Sequence, residues 1–309
     1  MRVEILGSAA GGGFPQWNCN CQNCQSLRAG TFQGKPRTQT QVAVTGDTRH
    51  WFLLNASPDL RMQIEATPSL HPRHGLRDSP ISGVVLTSAD IDQVAGLLSL
   101  RELQPFRIYC TPSLRRILQE DNSVFAMLNR ISNQVVWADI HPGQNLALST
   151  IEGSESGIGC SGICLGSRYP AYVSPKRSAE LKPEDALLGL VLEASTGGRL
   201  AYMPAVLAID EPLLELLEEV DLVLFDGTFW SDDELIRVQG SGATAREMGH
   251  VPVSGQDGTL RKLAGLHRPR KVFVHVNNTN PMLDESSPEH REVRAAGWEV
   301  AEDGWSFDL

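Results

Sequence analysis

The sequence predicts an α+β protein, two sheets packed together with helices outside in a four-layer αββα sandwich. Three observations predict it. Runs of branched and aromatic residues recur along all 309 residues and dominate the first half. Segments with helical spacing of apolar residues separate many of those runs. No Pro/Gly/Ser linker or fixed-period repeat divides the chain, so residues 1–309 are expected to form a single domain.

In chain order, strands are expected at Val3–Leu6, Gln41–Val44, Trp51–Asn55 and Gly83–Leu86. A helix follows over Ile91–Glu102, where Ile91, Val94, Leu97 and Leu98 share one face. Strand Arg107–Cys110 leads into a helix over Ser113–Leu128, and Pro112 stands where a first turn accepts proline because its missing N–H has no partner there. Gln134–Trp137 is the next strand. Gly153–Gly166 carries five glycines and two cysteines and reads as a loop. Strands Leu188–Glu193 and Arg199–Met203 precede a helix over Pro212–Val220, then strand Leu222–Phe225, helix Thr259–Leu266 and strand Lys271–Val276.

Lys and Arg number 27 against 37 Asp and Glu, a formal charge of -10, so the chain repels phosphate backbones and anionic lipid. No nucleic-acid partner and no membrane insertion are expected, since the longest apolar runs fall far short of the roughly 20 residues that span a bilayer. The opening residues lack the charged head and apolar run of a signal peptide, which predicts a cytoplasmic protein. Three of the six cysteines, Cys19, Cys21 and Cys24, lie within six residues. Such clustering points to a metal rather than a crosslink.

Thiolates spaced C-x-C-x-x-C on a bent loop can converge on one tetrahedral zinc, which here would be structural. Cys110, in an apolar strand, reads as a small hydrophobe; Cys160 and Cys164 sit on the expected loop, where labelling of the native protein is expected to modify one or the other, and none of the three ligates the metal. A second constellation follows strand Gly83–Leu86, where a loop presents Ser88, Asp90, Asp92 and Gln93. Polar groups at a strand's carboxyl end suit binding or catalysis, although Asp90 also suits a plain helix cap. Asp226 ends an apolar strand and precedes Gly227, which equally describes a turn former. His250 and His275 complete the set, the latter followed by Asn277, Asn278 and Asn280. A lone buried histidine is more often core than ligand, but these polar neighbours shift the odds.

The order of these motifs resembles the metallo-β-lactamase superfamily. More specifically, Asn18-Cys-Asn-Cys, Ser88-x-Asp-x-Asp, Asp226-Gly-Thr-Phe-Trp230, Met248-Gly-His and His275-Val-Asn-Asn-Thr-Asn-Pro281 resemble the pyrroloquinoline quinone (PQQ) biosynthesis protein B family from Met1 to Leu309. The resemblance implies a metallo-β-lactamase-like fold and a structural zinc at Cys19, Cys21 and Cys24. It puts a candidate active-site metal at Asp92, Asp226 and His275, with Gln93 adjacent. His250 and Asp90 become the candidate catalytic residues, Asp90 doubling as a fourth metal ligand. Ser88, Asn277 and Asn278 become candidate substrate contacts.

In a di-zinc hydrolase, imidazoles would fill the places taken here by Ser88, Asp90 and Gln93, and other members carry His at Gln93. One metal position is therefore stripped, and the remaining oxygen-rich set suits Fe²⁺ or Mn²⁺. The implied activity is iron- and O₂-dependent hydroxylation of the tyrosine moiety of the PQQ precursor. The alternative is a non-catalytic carrier in transport of PQQ or its precursor to the periplasm. Partners implied are the precursor peptide or its diamino-acid product, other PQQ biosynthesis proteins and a second copy of the chain as a homodimer.

Overall fold

Val3, Ile5 and Leu6 are buried and place Arg2–Gly7 as strand β1, whose antiparallel partner comes from the far end of the chain. That partner is β14, Ser306–Asp308, with Arg2 opposite Asp308 and Glu4 opposite Ser306. The computed structural model describes residues 1–309 and packs as two units. The first comprises Met1–Leu6, Gln41–Gly198 and Gly304–Leu309; the second, Gly7–Thr40 and Arg199–Asp303.

In the first unit, β2 (Gln41–Thr45) pairs antiparallel with β3 (Trp51–Leu54), and β3 continues in parallel through β4 (Ile81–Val85), β5 (Phe106–Cys110) and β6 (Val135–Asp139). Parallel neighbours need crossovers, and helical segments supply them. The first is Leu60–Ala66 with a 3₁₀ turn at Pro68–Leu70. The second is Ile91–Val94 running into a 3₁₀ turn at Ala95–Arg101. The third, Pro112–Gln119, starts at Thr111, whose side chain accepts the Leu114 N–H as a helix cap. Trp51, Leu53, Val84, Ile108, Leu114 and Ile117 bury the helical faces against this sheet.

The same unit contains an antiparallel ribbon of β7 (Asn145–Ser149), β8 (Glu155–Gly166) and β9 (Leu187–Ala194). The loop expected over Gly153–Gly166 is therefore corrected: twelve of those residues form a strand. Its glycines are not turn formers. A Cβ on Gly162 would sit 3.0 Å from Ile140 and 3.1 Å from Leu188, so the missing side chain lets neighbours close in. Cys160 alternates inward on this strand and is fully buried, its thiol pushed up to about 12 by desolvation. Of the two thiols named for labelling, Cys160 or Cys164, only Cys164 is exposed.

The second unit carries four parallel strands, β10 (Arg199–Met203), β11 (Leu222–Asp226), β12 (Arg270–Val274) and β13 (Trp298–Val300). β11 is buried throughout, the continuous apolar pattern of a parallel strand covered on both faces. β12 stops one residue before His275, which the sequence had placed inside the strand, because His275 turns into the left-handed region at φ 57°. The carboxyl ends of β11 and β12 thus present Asp226 and His275 side by side. The helix expected over Thr259–Leu266 is a single turn, Thr259–Lys262. No helix is long and apolar enough to cross a membrane.

Candidate metal and histidine site

Two clusters in the second unit bring metal-ligating atoms within 4.8 Å of one another: Cys19, Cys21 and Cys24, and Asp226, His250 and His275. The cysteines straddle the start of helix Gln22–Arg28, with Cys24 fully buried. Burial pushes the Cys21 thiol up to about 11, reinforced by its two sulfur neighbours, while hydrogen bonds outweigh burial at Cys19 and lower it. Close-packed thiols cannot all ionise alone, and a cation lets them. Three convergent sulfurs therefore fit zinc, and Cys19, Cys21 and Cys24 are the residues that would hold it.

Asn278, expected to contact substrate, lies against these sulfurs. Its side-chain amide stands 3.0 Å from Cys19, 3.4 Å from Cys24 and 3.6 Å from Cys21. Asn23 holds it from behind by donating to the Asn278 and Asn280 carbonyls. The amide faces all three sulfurs, and turned about its last bond it offers them Oδ1 in place of Nδ2.

Asp226 is fully buried at the end of β11. Its Oδ1 accepts the Thr228 N–H (3.0 Å) and hydroxyl (2.6 Å); its Oδ2 accepts the Val206 N–H (2.9 Å) and faces His250 Nδ1 (2.8 Å). Burial alone would raise this carboxyl, but the facing His250 and His275 rings and the Thr228 hydroxyl hold it below its usual range. Thr228 Oγ1 also meets His275 Nδ1 at 2.8 Å and His250 Nδ1 at 3.1 Å. Because that hydroxyl donates to Asp226, it accepts from the His275 ring. The two imidazoles stack at 5.4 Å and 26°.

With Nδ1 engaged on both rings, Nε2 is the nitrogen each can offer to a metal or a proton, the pattern of a ligand histidine backed by a carboxylate or hydroxyl. The imidazoles thus fit a metal. A carboxylate has about four lone-pair sites, and internal partners fill those of Asp226, so a metal there must displace one, the His250 contact being the exchangeable one. Left-handed backbone at a non-glycine residue costs about 1–3 kcal/mol and persists only where its surroundings enforce it. At His275 they do: Val276 donates to the Ser8 carbonyl and Asn277 to the Thr228 carbonyl.

Ser88, Asp90, Asp92 and Gln93 lie on the first unit. Ser88 Oγ donates to Asp90 Oδ2 at 2.7 Å, so Asp90 stands at the N-cap position without capping the helix through its side chain. Gln93 Nε2 donates to Asp92 Oδ2 at 3.3 Å. Asn277 lies in the second unit and donates to Thr279 Oγ1, which in turn donates to the buried Glu234. Sequence reasoning missed Thr228 as the hub of the histidine pair and Glu234 as the anchor of the asparagine segment. The Asp-x-Thr spacing, which places a hydroxyl back on the carboxylate, was the available signal for Thr228.

A model of the β-lactamase superfamily domain matches residues 50–276. Coenzyme PQQ synthesis protein B of Azotobacter vinelandii is 44% identical over 309 residues, covering all of both chains. The crystal structure of Zn²⁺-bound PqqB from Methylobacterium extorquens superposes with a TM-score of 0.91 at 42% identity, again covering both chains completely. A diphosphatase of the PhnP family, at 18% identity and a TM-score of 0.67, shares the fold alone. The α+β architecture expected from the sequence is the metallo-β-lactamase fold, and the chain belongs to the coenzyme PQQ synthesis protein B family within the β-lactamase superfamily.

Proposed function

We propose that this chain hydroxylates the tyrosine moiety of the PQQ precursor using iron and O₂, with His275 and Asp226 as candidate ligands and zinc structural at the three cysteines. The sequence adds Asp92 to the iron set. The carrying observation is the pair of imidazoles locked through Nδ1 by Asp226 and Thr228, a nitrogen- and oxygen-donor site without sulfur. Iron, when bound, supplies the oxygen chemistry. The chain's own part is to bind and orient the phenol and to move its proton through His250 Nε2, with the Thr228 hydroxyl, 3.1 Å from Nδ1, holding the ring in orientation. A ring C–H becomes C–OH, the second oxygen atom leaves as water, and a reductant provides two electrons. The proposed location is the cytoplasm, where six unpaired cysteines stay reduced.

The second reading, a carrier for PQQ or its precursor, is favoured by the filled lone pairs of Asp226 and by Ser88, Asp90 and Gln93 standing where ligand imidazoles would. One titration separates the two. Anaerobic Fe²⁺ loading, metal analysis, and then O₂ uptake with ascorbate and glutamyl-tyrosine should give one iron per chain and a product heavier by one oxygen atom. His250→Asn should keep the iron and lose most of the uptake. Zinc alone, or iron without uptake, would overturn the hydroxylase and leave the carrier.

A further inference from the structure

Gln93 is 5% exposed, and its Oε1 has no hydrogen-bond donor. The orientation of its amide is fixed by chemistry, because turning it over would set Oε1 against the Asp92 carboxylate that now accepts from Nε2 at 3.3 Å. The residue is also held at its backbone: its N–H donates to the Asp90 carbonyl at 2.9 Å, and its carbonyl accepts from Ala56 at 2.7 Å. Behind it, Gly96 lies so close to Ser57 that a Cβ would fall 2.2 Å from that carbonyl. The loop ahead is pinned too, by the Tyr172 hydroxyl on the Ala89 carbonyl and by Ser88 on Asp90. A buried acceptor without a donor is costly to keep, and one held this rigidly is poised for a donor that arrives from outside.

We propose that Gln93 Oε1 is a specificity-determining acceptor for an ammonium group of the substrate, with the Asp90 carboxylate of the same loop setting the preference for a cation. This rests on the reading that the chain binds the PQQ precursor, whose amino-acid parts carry such groups, and it sharpens that reading. The loop offers acceptors and negative charge. It selects the amine-bearing precursor over PQQ itself, whose carboxylates are anionic acceptors.

The test compares wild type with Gln93→Met, which keeps the side chain's length and removes the acceptor. Calorimetric binding is measured for glutamyl-tyrosine and for its N-acetyl form, which lacks the ammonium. Wild type should hold the free amine more tightly, and Gln93→Met should weaken it at least about tenfold while leaving the acetylated peptide unchanged, since a hydrogen bond to a charged group is lost only in the first case. Equal binding of the free amine by wild type and Gln93→Met, or equal losses for both peptides, would overturn it while leaving precursor binding intact. Failure of wild type to bind either peptide would sink precursor binding and this proposal together.

Discussion

At the residue scale, each side chain of the cysteine cluster has a distinct energetic role. Zinc's binding energy is folding energy when its site exists only in the folded chain, so Cys21→Ser should lose the metal and lower the melting midpoint. One tightly held zinc in the purified variant would refute this. Asn278→Ala should keep the thiolates but weaken zinc at least about tenfold, the scale of change expected around a metal. Competition with a chelator of known affinity measures it. The other cysteines separate by burial. A thiol reagent should modify Cys164 in the native protein, whereas Cys110 and Cys160, fully buried with their thiols raised by desolvation, should react only on unfolding. Peptide mapping after brief labelling decides it, and early modification of Cys160 would contradict the buried strand.

At the element scale, the segment from His275 to Asn280 matters most, because it serves the histidine pair at one end and the cysteines at the other. Its anchor is Glu234, whose carboxylate accepts from the Trp230 N–H and the Thr279 hydroxyl. Burial raises that carboxyl to about 7 against those hydrogen bonds. A folded-state value above the unfolded one means that the folded chain binds the proton more tightly. Stability from this group is therefore full below the unfolded value near pH 4.5 and is lost as pH rises towards 7. Glu234→Gln should flatten that slope and gain about 2–3 kcal/mol relative to wild type at pH 8. Urea melts at pH 5 and pH 8 test it, and an unchanged slope would show that another group controls this range. The strands of this region were legible because β11 and β12 are unbroken apolar runs between polar ends. β8 was not, because its glycines, which admit neighbours across the sheet, look in sequence like the glycines of a turn. The helix ends blurred for a related reason: 3₁₀ turns continue the apolar spacing after the α-helix has stopped, as at Ala95–Arg101.

For the whole molecule, the sequence showed which residues carry chemistry better than it showed how they are used. Asp226, His250 and His275 stood out as an acid and two imidazoles at element ends, yet the hydroxyl joining them and the amide over the cysteines depend on contacts between distant segments. The formal charge of -10, in contrast, is readable without any structure and discriminates between the two functional readings. A carrier of PQQ must attract a trianion to a strongly acidic protein. Unless a local basic subsite offsets the overall field, long-range repulsion opposes binding, and screening relieves it as the Debye length falls from about 30 Å at 0.01 M salt to about 10 Å at 0.1 M. PQQ affinity should therefore rise several-fold across that range. Glutamyl-tyrosine, with a net charge of about -1 near neutral pH, should respond about one third as steeply, because the repulsion scales with ligand charge. Equilibrium dialysis at the two salt concentrations provides the measurement. PQQ binding that weakens with salt would instead reveal cations gathered at its site, and the carrier would then become the better account of this chain.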